Sequence, residues 1–179
     1  FGSSLIRDTL NKYDYEDPRE KAFLKRLTEG TLESLLTLDY VINAYSKTPT
    51  NKMKPLIRSL LRLSVYQILY MDTVPDSAAC NEAVRLAKKK GFERLSGFVN
   101  GVLRTITRNK EEILNSESAF WQELQKNPVQ ALSVRYSVPE WMISLWEAQY
   151  GEEKTEPMLE RLKKGRPLTI RLDSRLTEE

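Results

Sequence analysis

Histidine is absent from this chain of 179 residues, and cysteine occurs only once, as Cys80. The absence of histidine excludes His-ligated metal sites, Ser-His triads and histidine general bases within these residues. A single cysteine excludes an internal disulfide and fits a reducing, cytoplasmic compartment. Neither standard glycine-rich phosphate-binding spacing occurs. We therefore expect no catalytic, metal-binding or cofactor-binding residue in this chain.

Long apolar runs are also missing. The nearest, Leu60 to Met71, is shorter than the roughly 18 residues of a membrane span and contains Arg62. We therefore expect no membrane partner. The apolar content of 40% is still sufficient for a buried core. Length and composition together allow one compact domain plus a smaller appendage.

Charges of both signs are present, but they are segregated along the chain. Residues 81–110 carry eight basic and two acidic side chains, residues 40–71 carry five basic and no acidic ones, and the remainder is net −8. Clustered Lys and Arg release counterions when they meet a phosphate backbone. The segregation therefore favours contact with a polyanion. The alternative is that these residues are only the solvated faces of helices.

Helical patterns continue to about residue 164, which predicts an all-α fold. One helix begins at the Asp17-Pro18 cap and ends before Thr48-Pro49. The later predictions are a central apolar helix at 55–70, helices at 76–90 and 92–107, short connecting helices at 109–136, and helices at 137–151 and 153–164. Residues 167–172 alternate like a strand. Since a lone strand is not stable by itself, we expect it to belong to an incomplete C-terminal domain.

Several residues of these predicted helices have expected packing roles. Gly30 and Gly101 stand inside helices, where glycine costs roughly 1 kcal/mol relative to Ala, so each predicts close approach of a neighbouring helix. Phe120, Trp121 and Leu124 are expected to anchor the connecting helices. Ser137 is expected to cap the helix that follows it. The stripes Trp141-Leu145-Ala148 and Met142-Trp146-Tyr150 are expected to be core, rather than platforms for stacking bases.

Specific segments resemble a known family. Asn81–Lys88, Phe98–Arg104, Glu29–Leu32 and Leu38-Asp39 resemble the helical, RNA-binding NusB-like domain. Within that superfamily, four further segments are similar to the N-terminal part of the RsmB (Sun/Fmu) family of bacterial ribosomal RNA methyltransferases, and these are Leu61–Met71, Tyr136–Trp141, Tyr150–Glu152 and Pro167–Leu172. The resemblance implies a NusB-like RNA-binding helical domain at 1–112. It also implies a helical linker at 113–179 that leads into a catalytic domain absent from this sequence.

The same resemblance implies what the parent protein does. It would transfer a methyl group from S-adenosylmethionine to C5 of a cytosine in small-subunit ribosomal RNA, with two cysteines that this chain lacks. Its partners would be that RNA and its own C-terminal methyltransferase domain. Cys80 matches no catalytic motif of the family and is expected to be a small core residue.

Candidate RNA-binding residues follow from the basic segments. Lys88, Lys89, Lys90 and Arg94 surround a helix end and loop, a geometry suited to reaching phosphates. Part of this cluster also has a structural explanation, because lysines in a last turn complement the helix dipole. A second group consists of Lys52, Lys54 and Arg58. Arg62, inside an apolar helix, is expected to be a paired, buried cation instead.

Three functions remain open at this point. The first is the RNA-docking module of an RNA cytosine methyltransferase. The second is a NusB-type transcription antitermination factor, which binds RNA and does no chemistry. The third is a helical scaffold that binds only protein. Four further polar residues are expected to satisfy one another between helices rather than contact RNA, and these are Asn81, Glu82, Asn100 and Arg104.

Overall fold

The computed structural model of this chain describes residues 2–13 and 17–164, and its side chains from residue 6 onward. These ranges fold into α-helices joined by short connections, with one 3-10 turn at Thr50–Lys52. In chain order the helices are α1 (Gly2–Leu10), α2 (Pro18–Glu33), α3 (Leu35–Tyr45), α4 (Pro55–Tyr70), α5 (Asp76–Lys89), α6 (Glu93–Arg108), α7 (Lys110–Leu114), α8 (Ala119–Gln125), α9 (Pro128–Tyr136), α10 (Glu140–Tyr150) and α11 (Glu152–Lys163). The predicted all-α class is confirmed for the described ranges, and the predicted strand at 167–172 lies outside them.

The first long helix begins as predicted and is then interrupted. The Asp17 carboxylate accepts a hydrogen bond from the Arg19 amide at 2.8 Å, and Pro18 occupies the first turn. The prediction of one helix up to Thr48 is wrong, because the backbone leaves helical geometry at Ser34 (φ −105°, ψ 18°). This break lets α2 and α3 bury different faces. Leu27 and Gly30 of α2 are buried, and α3 buries a separate set of side chains, namely Thr37, Leu38, Val41 and Ile42.

Helix α4 is the central helix of the bundle, as its apolar pattern predicted. It packs against α2, α3, α5 and α6. Such all-round contact requires apolar side chains on most of the circumference. Its buried residues are Ile57, Leu60, Leu61, Ser64, Val65, Ile68 and Leu69.

Helices α5 and α6 form an antiparallel pair. Cys80 Sγ lies 3.9 Å from Thr107 Oγ1, and Lys110 Nζ donates to Asp76 Oδ1 at 3.1 Å. Both contacts join the start of α5 to the end of the α6 region. The opposite end of the pair therefore carries the turn from Lys90 to Phe92.

Helices α7 to α9 attach to α3 through aromatic and polar contacts. The Trp121 ring stacks on Tyr40 with centroids 5.5 Å apart, and Trp121 Nε1 donates to the Ile113 carbonyl at 3.0 Å. Thr37 Oγ1 donates to the Val134 carbonyl at 2.5 Å. The predicted anchoring role of the Phe120-Trp121 pair is confirmed.

Ser137 differs from its prediction. It does not cap α10, which begins after Pro139, but closes α9 in the left-handed conformation with φ +56°. Its hydroxyl accepts a hydrogen bond from the Leu36 amide at 2.9 Å, across 101 residues of sequence. Ser137 therefore ties α9 to the first turn of α3, where helical amides lack partners.

The prediction that both stripes of α10 are core is wrong, since four of their six residues are exposed and the other two, Met142 and Trp146, are half-buried. Trp141 is 65%, Leu145 46% and Tyr150 50% exposed, whereas Ile143 is completely buried. The reason is geometric, because among the described residues the helices that pack closely against α10 are α9 and α11. Periodicity alone could not show that the other sides of this helix lack a neighbour within the described ranges.

The two internal glycines predicted to allow close packing behave differently. A Cβ on Gly30 would overlap the Tyr66 ring, whereas a Cβ on Gly101 would meet nothing within 4 Å. The prediction is confirmed for Gly30 and wrong for Gly101.

We expect Gly30→Ala to destabilise the protein by roughly 1–2 kcal/mol, because Tyr66 must move out of its packed position. Gly101→Ala is the matched control, and it is expected to stabilise the protein by up to about 1 kcal/mol through helix propensity. Urea unfolding followed by circular dichroism measures both changes. Shifts of the same sign would contradict the close contact at Gly30.

Candidate nucleic-acid interface

The connection between α5 and α6 presents four basic side chains. Lys88 and Lys89 lie in the last turn of α5, Lys90 is its C-cap, and Arg94 lies in the first turn of α6. All four are exposed. None of them forms an ion pair with another residue of the described ranges. We call Lys88, Lys89, Lys90 and Arg94 the basic patch.

The backbone at this turn fixes the position of the patch. The Phe92 amide donates to the Ala87 carbonyl at 2.9 Å and the Gly91 amide donates to the Lys88 carbonyl at 3.0 Å. This pair of hydrogen bonds is the Schellman arrangement, which needs a left-handed residue after the C-cap. Gly91 supplies it with φ +81°. The turn is therefore short and defined, and the structure brings together the residues that the sequence predicted as one group.

Lys52, Lys54 and Arg58 lie around the start of α4. Lys52 ends the 3-10 turn and Lys54 precedes Pro55, and both side chains are exposed. Arg58 is half-buried, and its Nε is a buried donor without a hydrogen-bond partner among the residues that the structure describes. The five-residue connection Met71–Pro75 turns the chain back from α4 into α5, so the two helices are antiparallel neighbours. The start of α4 therefore lies toward the same end of the bundle as the basic patch.

Two other arginines of the basic segments have protein partners. Arg62 donates to both carboxylate oxygens of Asp39, at 2.7 and 2.5 Å. The predicted pairing is confirmed, and the Arg62 side chain is 19% exposed rather than fully buried. Arg85 donates to both oxygens of Glu82, at 2.8 and 2.7 Å. This hydrogen bond to Arg85 is the main reason that the pKa of Glu82 is lowered, and Lys89 contributes to the same effect. These arginines are therefore less available to a ligand than the basic patch.

Of the four polar residues expected to satisfy one another between helices, three pair instead within single helices. Glu82 pairs with Arg85 inside α5, and Arg104 donates to Asn100 Oδ1 at 3.0 Å inside α6. Asn81 is exposed. Each of these pairs joins residues three or four positions apart on the same helix. The expectation of contacts between helices is therefore wrong.

Cys80 behaves as a core residue. It is 4% exposed, and burial is the main cause that raises the pKa of its thiol. A raised pKa disfavours the thiolate that nucleophilic chemistry requires. Within residues 2–13 and 17–164, no group of three or more Cys, Asp or Glu side chains is arranged to hold a metal ion. No helix in those ranges is both long enough and apolar enough to cross a bilayer.

Comparison with known proteins adds the family. A model of the NusB family matches residues 3–108, which reach from α1 to the end of α6. The chain belongs to the NusB family. The basic patch and the start of α4 both lie inside this NusB match, and α7 to α11 follow it.

Two kinds of curated relatives share this NusB region. The probable ribosomal RNA small subunit methyltransferase B of Bacillus subtilis is 36% identical over 87% of the chain and 33% of the relative's own length. The protein of the same name in Synechocystis is 33% identical, also over 87% of the chain and 33% of its own length. The transcription antitermination protein NusB of Thermodesulfovibrio yellowstonii is 36% identical over 65% of the chain and 80% of its own length. The chain thus spans about a third of the methyltransferase relatives, and the similarity to them extends beyond the NusB region.

Proposed function

We propose that this chain is the RNA-docking N-terminal portion of an S-adenosylmethionine-dependent ribosomal RNA (cytosine-C5) methyltransferase. The observation that carries the RNA contact is the basic patch, where four exposed cations flank the connection between α5 and α6 without an ion-pair partner among the described residues. Phosphate contacts of this kind position a protein on folded RNA and do not read sequence.

The methyltransferase context is supported by the length of the similarity. Relatives named ribosomal RNA small subunit methyltransferase B match 87% of the chain, whereas the NusB protein of Thermodesulfovibrio yellowstonii matches 65%. In this proposal residues 1–112 form the RNA-binding domain, and residues 113–179 form the linker toward a methyltransferase domain. That domain would bind S-adenosylmethionine, contribute the catalytic cysteines and act in the cytoplasm. The chain described here would contribute docking alone.

The NusB-type antitermination factor is the second candidate. It is favoured by one observation, the 80% coverage of the Thermodesulfovibrio yellowstonii protein. Both candidates require RNA binding, so a binding assay does not separate them. Methyl transfer does, because only the first candidate catalyses a reaction.

Docking is tested by measuring the affinity of the chain for a transcribed small-subunit RNA fragment across a salt series. If the four cations of the basic patch each contact a phosphate, the logarithm of the affinity should fall with the logarithm of salt concentration with a slope of about −3. A slope near zero, or no binding at low salt, would refute docking through this patch. Incorporation of labelled methyl groups at cytosine C5 by the complete gene product, measured on the same RNA, then decides between the two candidates.

A further inference from the structure

A groove of about 810 Å³ is lined mainly by residues of α7, α8, α9, α10 and α11, with Thr37 of α3 and Tyr70 of α4, and no residue of the basic patch lines it. Its lining includes large apolar side chains, of which Ile113 and Leu124 are buried and Trp121 is half-buried. Leu114 lines the groove too and is 49% exposed. The groove therefore leaves apolar surface uncovered, which marks a site for large apolar groups of a ligand.

The charged lining of this groove is mainly acidic. Four carboxylates line it, and they are Glu117, Glu147, Glu152 and Glu156. Among the described residues, two cations line it, Arg135 and Lys163. The charged side chains that these residues contribute to the lining therefore sum to −2. We call this site the acidic groove.

The two cations of the groove are already engaged by the protein. Arg135 Nη1 donates to Glu156 Oε1 at 2.9 Å, and Lys163 Nζ donates to the Arg135 carbonyl at 2.9 Å. Arg135 Cζ and Lys163 Nζ also lie over the Tyr136 ring, 5.3 Å and 5.8 Å from its centroid, respectively. Glu117, Glu147 and Glu152, by contrast, form no ion pair with any described residue. The unneutralised charge of the groove is therefore negative.

We propose that the acidic groove binds a basic amphipathic segment of a protein partner. The apolar floor would take its large apolar side chains, in the manner of a helix laid into a groove. Glu117, Glu147 and Glu152 would pair with Lys or Arg on the flanks of that segment. The same carboxylates repel RNA, because like charges at an interface exclude the wrong partner. The groove thus differs in ligand class from the basic patch. Most of its lining follows the family match at residues 3–108, and Thr37 and Tyr70 lie within the match.

The test uses fluorescence anisotropy with a labelled synthetic peptide of about 14 residues that places Leu at i, i+3, i+4 and i+7 and Arg on the flanks. We expect the full chain to bind this peptide. The double substitution Glu147→Lys with Glu152→Lys should weaken binding at least about tenfold, since two attractive charges become repulsive.

Matched controls separate the groove from general acidity. Glu140→Lys with Glu153→Lys changes the charge equally on the same two helices, at exposed positions that do not line the groove. This control should weaken peptide binding much less than the groove variant, because Glu140 and Glu153 do not line the groove and so do not pair directly with the bound segment. Equal losses in both double variants, equal binding of a peptide with Glu in place of Arg, or no binding at all would overturn the proposal.

Other occupants give distinct results. One further variant replaces Arg166, Arg171 and Arg175 by Ala. If this variant binds the peptide and the unchanged chain does not, the occupant of the groove is the chain's own following segment, and the proposal of a separate partner is wrong. Concentration-dependent dimerisation that Glu147→Lys with Glu152→Lys abolishes would identify a second copy instead, and would equally overturn it. Sedimentation equilibrium measures that dimerisation.

Discussion

Replacing Lys88, Lys89, Lys90 and Arg94 together by Ala is expected to weaken RNA binding strongly at 0.1 M salt. Each phosphate contact contributes about 0.7, on the single-strand scale, to the logarithm of the affinity for a tenfold change in salt. If the variant and the unchanged chain bind alike at about 1 M salt, where these contacts are screened, the loss at 0.1 M is about 25-fold for two contacts and about 600-fold for four. The slope of the salt dependence should become shallower by about 1.4 to 2.8 in the same variant. Filter binding across the salt series measures both quantities.

The matched control removes the same charge elsewhere on the molecule. Lys12, Lys25, Lys154 and Arg161 are exposed and form no ion pair with described residues. Their joint replacement by Ala lowers the net charge by the same four units. If the affinity falls equally in both variants, binding depends only on overall charge, and the basic patch has no special role.

The second large effect is expected at Asp39. Its carboxylate accepts two hydrogen bonds from Arg62, and the two side chains are only 20% and 19% exposed. Removing one partner of a fully buried pair costs about 3–5 kcal/mol, because the remaining charge is left uncompensated. With about a fifth of each side chain in water, we expect Asp39→Ala to cost about 2–3 kcal/mol of unfolding free energy, measured by urea denaturation.

Two controls test the cause of that loss. Glu82→Ala breaks a pair of the same bidentate geometry that is exposed. It should change stability much less, because solvent screens such pairs. The double variant Asp39→Leu with Arg62→Met removes both charges and should recover most of the stability. A double variant as unstable as Asp39→Ala would show that an unpaired Arg62 is not the cause.

RNA affinity and unfolding free energy, measured together, separate the role of the basic patch from the role of the Asp39–Arg62 pair. Asp39→Ala should leave the affinity of the folded protein nearly unchanged at a temperature where it stays folded, because the basic patch is intact. The four-residue variant of the patch should keep its unfolding free energy, because exposed cations without ion pairs contribute little to stability. Loss of both properties in either variant would contradict the separation of the two roles.

Much of the fold could be predicted from local patterns. The start of α2 at the Asp17-Pro18 cap, the span of α4 and the end of α5 before Gly91 depend on residues a few positions apart. The composition of the basic patch is also local, since its members share one helix end and the next turn. Its contact with RNA stays a prediction. The boundary near residue 112 is likewise a prediction.

Other features depend on residues far apart in the sequence. Arg62 and Arg85 look alike as basic residues in helices, yet Arg62 pairs with Asp39 on another helix and Arg85 with Glu82 one turn away. Gly30 and Gly101 look alike too, and only Gly30 lies against a neighbouring ring. Periodicity shows that a helix has an apolar side, but it does not show which neighbour covers that side.

The sequence by itself determined the helical class, the exclusion of histidine chemistry and the separation of basic from acidic segments, because composition and short-range spacing decide these properties. Tertiary packing alone decided which cations are paired, which face of α10 stays exposed and that carboxylates from α10 and α11 meet an apolar floor from α7 to α9. Burial and charge pairing depend on distances in space, and those are set only when helices remote in sequence pack together.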